Sequence, residues 1–311
     1  MNATPAKTWL PLAAVMVTLV LWASAFVAIR HLGKDFEPGS LSLGRLVVGA
    51  VALGLVAAPK LKAVPRLRLR EWLSIVAIGV LWFGVYNVAL NEGERHVDAG
   101  TASMLLQVSP ILIAVLATIF LSERFTTYLA IGLGLAFAGV ALIGTADSGS
   151  GGSRDVLGVV LCLVSAAVYS ISVILQKPLV TRLPALHITW LACTVGAVAC
   201  LPFVGQLVDD TRSAPTSSVL WVIYLGVFPT AIAFTTYAYA LRHMSASSLG
   251  VTTYLVPPIT IAMGLVFLSE TPPTIAYAGG VLALLGVAVA RRKPRPKAAE
   301  PQPKEPARVH G

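Results

Sequence analysis

The sequence reads SPILIAVLATIFLSE at residues 109–123 and VPPITIAMGLVFLSE at residues 256–270, and these two stretches decide its fold. They lie 147 residues apart, and the same offset pairs fifteen identical residues of the segment 95–145 with their counterparts without a gap. It also pairs Arg30 with Lys177. Self-similarity at a fixed spacing marks a repeated structural unit. The sequence therefore predicts two halves that are built alike.

Apolar runs long enough to cross a membrane surround both stretches. Of the 311 residues 56% are hydrophobic and only 12% are charged, whereas about a quarter of an ordinary soluble domain is charged. A spanning helix needs about 20 apolar residues, and long runs without two-residue alternation predict helices rather than a β-barrel. The predicted spans lie at about residues 9–30, 39–58, 71–90, 99–121, 127–145, 156–177, 185–207, 218–241, 246–268 and 274–291.

Each predicted half contains an odd number of spans, so the second half would enter the membrane from the opposite side. We predict an all-α membrane protein of ten transmembrane helices, arranged as two inverted five-helix repeats at 9–145 and 156–292. A Pro-rich, basic segment at 293–311 predicts a disordered cytoplasmic tail. Inverted repeats are typical of transporters that bind their solute near the bilayer midplane, between the repeats.

The positive charge predicts how the chain is oriented. The net charge is +9, from 23 Lys and Arg against 14 Asp and Glu. In alternate predicted loops, seventeen Lys and Arg lie on one side and five on the other. The positive-inside rule then places both termini in the cytoplasm, with the protein in the plasma (inner) membrane. We expect the lipid bilayer and a small solute as partners and no nucleic acid, and the choice between monomer and homodimer stays open.

Each half carries a proline followed thirteen residues later by a glutamate, Pro110 with Glu123 and Pro257 with Glu270, and then a Gly-rich span. With LWASAFVAIRHLG at residues 21–33, these features resemble the drug/metabolite transporter superfamily, specifically EamA-type transporters with two five-helix repeats. The resemblance implies export or exchange of small metabolites, amino acids among them, and does not fix the substrate.

The two prolines predict the place of the solute site. A proline inside a helix frees the carbonyl four residues earlier, here that of Leu106 and that of Thr253. Exposed backbone at membrane depth is tolerated where it lines a cavity. We therefore expect a site between the fourth and ninth spans, with Pro110 and Pro257 as gating hinges, and a packing kink as the alternative.

Aromatic and polar residues at similar depth are expected to complete this site, a composition that suits a neutral or zwitterionic solute. Trp22 and Tyr169 occupy equivalent positions of the two halves. Further candidates in the eighth span are Thr235, Thr236, Tyr237 and Tyr239. The predicted substrate-binding residues are Trp22, Ser24, Trp82, Tyr86, Asn87, Gln107, Ser109, Tyr169, Thr253 and Tyr254.

Arg45 is the one charged residue predicted well inside a span, where it costs about 2.5–3.5 kcal/mol on insertion scales. We favour a structural or snorkelling role near the outer boundary, and an outer gate or anion contact is the alternative. No Asp or Glu is predicted in the middle of a span, which favours a uniporter or exchanger over a carboxylate-driven proton antiporter.

No motif for catalysis, for metal binding or for a cofactor appears in the sequence. We therefore expect no enzyme activity, no metal and no cofactor, although an intramembrane enzyme and a non-transporting scaffold remain alternatives. Small residues recur on one face of the fifth and tenth spans, which predicts close helix packing within the chain or, alternatively, a dimer contact. They are Gly132, Ala136, Gly139, Gly279, Ala283 and Gly286.

Overall fold

The computed structural model describes residues 9–59, 66–121, 127–146, 153–269 and 274–290. Within these ranges the chain is helical and contains no strand, which confirms the all-α prediction for this part of the protein. The predicted tail and both glutamates of the repeated motif, Glu123 and Glu270, lie outside the described residues.

The described residues form α-helices, three short 3₁₀ segments and two π-helical segments. The α-helices are α1 (Trp9–Leu32), α2 (Pro38–Ala57), α3 (Leu69–Ile78), α4 (Tyr86–His96), α5 (Ala99–Leu105), α6 (Ser109–Phe120), α7 (Thr127–Ala146), α8 (Ser153–Arg182), α9 (Ala185–Ala199), α10 (Val204–Ser213), α11 (Thr216–Leu225), α12 (Ala233–His243), α13 (Ala246–Thr252), α14 (Val256–Leu268) and α15 (Thr274–Ala290). The π segments are Gly79–Val85 and Gly226–Ile232, and the 3₁₀ segments are Leu106–Val108, Leu201–Phe203 and Thr253–Leu255.

Six helical stretches of the described residues are long and apolar enough to cross a membrane, which confirms a multi-pass membrane protein. They are Trp9–Leu32, Pro38–Ala57, Leu69–His96, Ala99–Phe120, Val156–Arg182 and Thr216–His243. A seventh consists of α9 and α10, which are bent by 53°. The total of ten crossings stays a prediction.

The seventh predicted span, at 185–207, is not one straight helix. It breaks between α9 and α10, where Pro202 lies in a 3₁₀ segment. Proline lacks a backbone N–H and clashes with the preceding helical turn, so the α-helix cannot continue through it.

The other interruptions of the helices recur at the 147-residue offset found in the sequence. One π segment joins α3 to α4, and its counterpart joins α11 to α12 with the same spacing. One 3₁₀ segment divides α5 from α6, and its counterpart divides α13 from α14. The two halves therefore break their helices at equivalent residues.

Helices of one half pack mainly on helices of the other. α4 packs on α8, while its counterpart α12 packs on α1. α6 likewise packs on α8, and α14 packs on α1. α2 contacts the second π segment and α9 contacts the first. The interior of the protein therefore forms between the halves.

The contacts of α2 and α9 with the π segments require glycine. A Cβ added to Gly226 would lie 2.5 Å from the Cβ of Val48 and 2.8 Å from the carbonyl oxygen of Arg45. At the equivalent contact, a Cβ added to Gly79 would lie 2.6 Å from the Cβ of Val195. No side chain fits at either position, so the backbones approach as closely as glycine allows.

The small-residue faces of α7 and α15 meet within the chain. Gly132, Gly139, Gly279 and Gly286 are all buried, and the two helices pack along each other. This packing supports the intramolecular interpretation of the small-residue pattern.

Gly226→Ala is expected to destabilise the contact between α2 and the second π segment, because the added methyl group overlaps Val48 and the Arg45 carbonyl. Overpacking of this kind costs about 1–3 kcal/mol, so the midpoint of thermal unfolding in detergent should fall. Gly205→Ala is the control, because nothing lies within 4 Å of the added Cβ. An equal or higher midpoint for Gly226→Ala than for the control would contradict the close approach.

Candidate functional site

A small central cavity lies where the two halves meet. Its volume is about 50 Å³, and a water molecule needs about 10–15 Å³ on this measure. The cavity therefore has room for a few water molecules and is smaller than a metabolite. Its lining residues are Trp22, Ala25, Phe26, Ile29, Arg45, Trp82, Tyr86, Leu90, Leu106, Gln107, Tyr169, Phe234, Thr253 and Val256.

Six of the fourteen lining residues are aromatic, and their rings form the aromatic wall of the cavity. The ring centroid of Trp22 lies 4.9 Å from that of Tyr237, 5.5 Å from that of Phe234 and 5.9 Å from that of Tyr169. Trp82 lies 5.0 Å from both Tyr169 and Phe234. These separations are typical of favourable edge and tilted contacts. The hydroxyl of Tyr169 donates a hydrogen bond to that of Tyr237 at 2.7 Å, which fixes both rings.

The first π segment places Trp82 in this wall, and Asn87 stabilises that segment. The Asn87 side-chain amide donates to the carbonyl oxygens of Phe83, at 2.8 Å, and Trp82, at 3.3 Å. Asn87 is buried but does not line the cavity. The structure does not place Asn87 at the predicted solute site. Its side-chain amide donates instead to backbone carbonyls of the π segment.

Gln107 and Thr253 lie in the 3₁₀ segments Leu106–Val108 and Thr253–Leu255, and they contact each other at the cavity. The Thr253 hydroxyl donates to the carbonyl oxygen of Gly250 at 2.6 Å and has Gln107 Oε1, at 3.4 Å, as its second acceptor. Gln107 Nε2 donates to the carbonyl of Ser103. Both side chains border the cavity, so the fourth and ninth predicted spans do meet there.

The expectation that the prolines leave open carbonyls is wrong. The carbonyl of Leu106 accepts a hydrogen bond from the Ser109 hydroxyl at 2.6 Å and another from the Ser109 backbone N–H. The carbonyl of Thr253 accepts from the N–H of Val256. The 3₁₀ geometry supplies these partners because its hydrogen bonds run three residues along the chain. The Ser109 hydroxyl therefore satisfies a backbone carbonyl, and Ser109 does not line the cavity.

Four more predicted residues lie away from the central cavity. Pro110 and Pro257 are buried at the starts of α6 and α14, and Pro257 borders a separate apolar cavity of about 130 Å³. The Ser24 hydroxyl pairs with that of Tyr224 at 2.7 Å, between α1 and α11. Tyr254 is half-buried and is not among the lining residues.

Arg45 lines the cavity and is 3% exposed, so snorkelling to the surface is wrong. Its Nε donates to the Thr230 hydroxyl at 3.2 Å. That hydroxyl in turn donates to the carbonyl of Leu225, the last residue of α11 before the second π segment. Because α2 packs on this π segment, the guanidinium is held inside the protein and next to the aromatic wall.

Glu94 is a buried carboxylate that the sequence analysis placed in a loop. α4 continues to His96, well beyond the predicted end of the third span, and Glu94 is 1% exposed. It interacts electrostatically with Arg45. Arg45 is therefore not the only buried charged residue of the described helices. Glu94 lies two residues before the end of α4 and not in the middle of a span, so the preference for a uniporter or exchanger stays a prediction.

A second, polar cavity of about 230 Å³ lies next to the central one and shares Ile29 with it. Its remaining lining residues are Arg30, His31, Gly33, Lys34, Asn91, Glu94, Arg95 and Leu268. The two cavities are thus neighbours along α1 and α4.

Several lining residues were missed by the sequence analysis. Phe26 and Leu90 lie one helical turn after Trp22 and Tyr86, so helical periodicity could have found them. Phe234 is the repeat counterpart of Asn87. Ala25, Ile29, Leu106 and Val256 carry no signal, because apolar residues are everywhere in these helices.

The fold and the site together define the class of protein. Helices long enough to cross a membrane several times enclose a polar and aromatic cavity, and charged groups are buried within the bundle. Buried charges in such helices mark solute or ion pathways. The protein is a multi-pass membrane transporter.

The chain belongs to the EamA-like transporter family, whose sequence profile matches it twice, over residues 9–145 and 156–292. It is 37% identical over 280 residues to a probable terminal-alkyne amino-acid exporter of Streptantibioticus cattleyicolor, covering 90% of this chain and 93% of the relative. It is 30% identical over 275 residues to the uncharacterized transporter YdfC of Bacillus subtilis, covering 86% of each.

A solved crystal structure shares the fold. The TM-score is 0.65 and the sequence identity is 19%, with 90% of this chain and 96% of the other covered. At this identity the likeness concerns the fold alone.

Solute binding at the central cavity is expected to quench the fluorescence of Trp22 and Trp82, which form part of its wall. Titration of the purified protein with candidate amino acids should show a saturable quench. The Trp22→Phe/Trp82→Phe double variant should lose it. Trp72→Phe, at an exposed residue outside the cavity, should keep it. A quench that persists in the double variant would place the bound solute elsewhere.

Proposed function

We propose that the protein exports or exchanges small zwitterionic metabolites, amino acids or similar compounds, with the central cavity as the solute site. The observation that carries this proposal is the buried Arg45 at the edge of an aromatic cavity. The 37% identical relative from Streptantibioticus cattleyicolor, a probable terminal-alkyne amino-acid exporter, supports the same class of solute.

The lining residues suit each part of such a solute. A guanidinium binds a carboxylate with paired, charge-assisted hydrogen bonds, and Arg45 would supply it. The rings of Trp22, Trp82 and Phe234 would cover an apolar side chain. The carbonyl oxygen of Gln107 and the hydroxyl of Tyr86 are polar groups on the same wall, available to an ammonium group.

Alternating access follows from the small size of the cavity. Small-molecule pockets enclose about 300–1,000 Å³, so the helices must separate before a solute can enter. The matched contacts between the halves support two inverted five-helix repeats at 9–145 and 156–292, ten transmembrane helices in all. Each half would then supply one gate of similar construction, with Pro110 and Pro257 as hinges.

The orientation and the location are part of this proposal. The surplus of Lys and Arg in alternate loops supports cytoplasmic termini and a position in the plasma (inner) membrane. The segment 293–311 would be a disordered cytoplasmic tail. Oligomeric state stays open between monomer and homodimer. Of the two alternatives, the intramembrane enzyme is disfavoured by membership of a transporter family, and a scaffold would show no saturable flux.

Arg45→Gln is expected to raise the KM for carboxylate-bearing solutes at least tenfold, because hydrogen bonds to charged groups contribute about 1.5–3 kcal/mol each. The measurement is uptake of radiolabelled amino acids into proteoliposomes, with empty liposomes as the blank. Arg45→Lys keeps the charge without the paired donors and should be intermediate. Arg212→Gln, on the exposed surface of α10, is the control. Unchanged KM in Arg45→Gln would remove Arg45 from the site.

Pro110→Ala and Pro257→Ala are expected to slow transport severalfold while leaving the protein folded. Alanine at residue 110 lets the helix continue where the 3₁₀ segment now interrupts it, which would stiffen the hinge. Pro258 remains next to residue 257, so Pro257→Ala should have the smaller effect. Flux in proteoliposomes is compared with the elution profile and thermal midpoint of each variant. Full transport activity of both variants would reduce the prolines to packing kinks.

A further inference from the structure

Two cations at equivalent positions of the halves make the same kind of hydrogen bond. Near the end of α1, Arg30 Nη1 donates to the carbonyl oxygen of Glu94 at 2.7 Å. Near the end of α8, Lys177 Nζ donates to the carbonyl oxygens of Leu241, at 2.7 Å, and Met244, at 2.6 Å. Donors and acceptors are both separated by the 147-residue offset, since Arg30 pairs with Lys177 and Glu94 with Leu241.

The acceptors are the exposed ends of two helices. The last carbonyls of an α-helix have no partner within the helix and carry the negative end of its dipole. α4 ends at His96 and α12 at His243, and each cation reaches the last turns of its helix. Each bond therefore ties the end of one cavity-lining helix to the end of another: α1 to α4, and α8 to α12.

The cations of these two hydrogen bonds, called ties below, follow the aromatic wall at the same distance along their helices. Arg30 follows Trp22 by eight residues, and Lys177 follows Tyr169 by eight, about 12 Å along a helix. On the α1 side, Arg30 lines the polar cavity, which shares Ile29 with the central cavity. The Arg30 bond thus closes α1 onto α4 at the boundary between the two cavities.

We propose that Arg30 and Lys177 are positioning residues of the transport cycle, each holding one of two gates closed. This inference rests on the proposed function, in which inverted halves place the two ties at opposite faces of the membrane. Both bonds are formed in this structure, and its central cavity is too small for a solute. Transport then requires one tie to break at a time.

Donation to a backbone carbonyl sets a condition on the residue, which must be long and must carry an N–H donor. Any long cation can make the bond, which agrees with the presence of Arg in one half and Lys in the other. An uncharged residue of similar length, such as methionine, cannot. Arg30→Lys and Lys177→Arg should therefore transport like the unsubstituted protein, and Arg30→Met and Lys177→Met should not.

The experiment measures the opening of each gate separately, as the rate at which one reporter cysteine is labelled from each side of the membrane. Cys162, Cys193 and Cys200 are replaced by Ala, and Ala25, which lines the central cavity, is replaced by Cys. A membrane-impermeant thiol reagent is then applied to intact cells or to inverted vesicles. Arg30→Met should increase the labelling rate from outside at least fivefold and decrease it from inside. Lys177→Met should do the reverse.

The structure offers a matched pair of control residues. Arg95 and Arg242 are repeat counterparts, each one residue beyond an acceptor carbonyl. Arg95 pairs with Glu37 at 2.6 Å at the surface, and Arg242 is exposed. Arg95→Met and Arg242→Met should label like the reporter background. Arg30→Leu and Lys177→Leu, which also lack a hydrogen-bond donor, replace any methionine variant that fails to elute as a folded protein.

The possible outcomes test the two gates independently of the proposed function. Opposite changes in sided labelling, with counterflow reduced at least tenfold, support the gates. Labelling that rises equally from both faces, or does not change, overturns them even where amino-acid flux is intact. Opposite labelling changes without flux of any tested amino acid would uphold the gates and overturn the proposed solute.

Discussion

Every backbone carbonyl at membrane depth needs a donor from within the protein, because the bilayer core offers no water. Within the described residues four helix interruptions recur as pairs in the two halves, and each of these four has a side-chain donor beside it. Asn87 donates to a carbonyl of the first π segment, and Thr230 donates to the carbonyl of Leu225, the residue that precedes the second. Ser109 and Thr253 donate to carbonyls next to the 3₁₀ segments. The cavity can exist because these donors make irregular helices tolerable.

The same donors connect the scaffold to the chemistry of the site. Thr230 satisfies the carbonyl of Leu225 and accepts a hydrogen bond from Arg45, so one hydroxyl stabilises a π segment and holds the buried cation. Thr253 satisfies the carbonyl of Gly250 and contacts Gln107 in the other half. Irregular helical segments are frequent at functional sites, and here they bring the wall and its polar groups together.

The helix interruptions recur in the two halves, but the buried charged residues do not. Arg45 and Glu94, buried in the first half, have Ala192 and Leu241 as their counterparts in the second. Thr230, which binds Arg45, has Phe83 as its counterpart. The buried charged residues Arg45 and Glu94 therefore do not follow the symmetry of the two halves.

The sequence by itself determined the helical class, the residues that resemble the EamA-type pattern and the offset at which the helices are interrupted. Composition and periodicity are local properties, and an ungapped repeat preserves them. It also placed Trp22, Trp82, Tyr86, Gln107, Tyr169 and Thr253 on one cavity, because aromatic and polar residues stand out against apolar helices. Only the tertiary structure decided that Asn87 and Ser109 satisfy backbone carbonyls, that Arg45 is held inside, and that Glu94 is buried. Those outcomes depend on which helix of one half packs against which helix of the other, and no local pattern encodes that pairing.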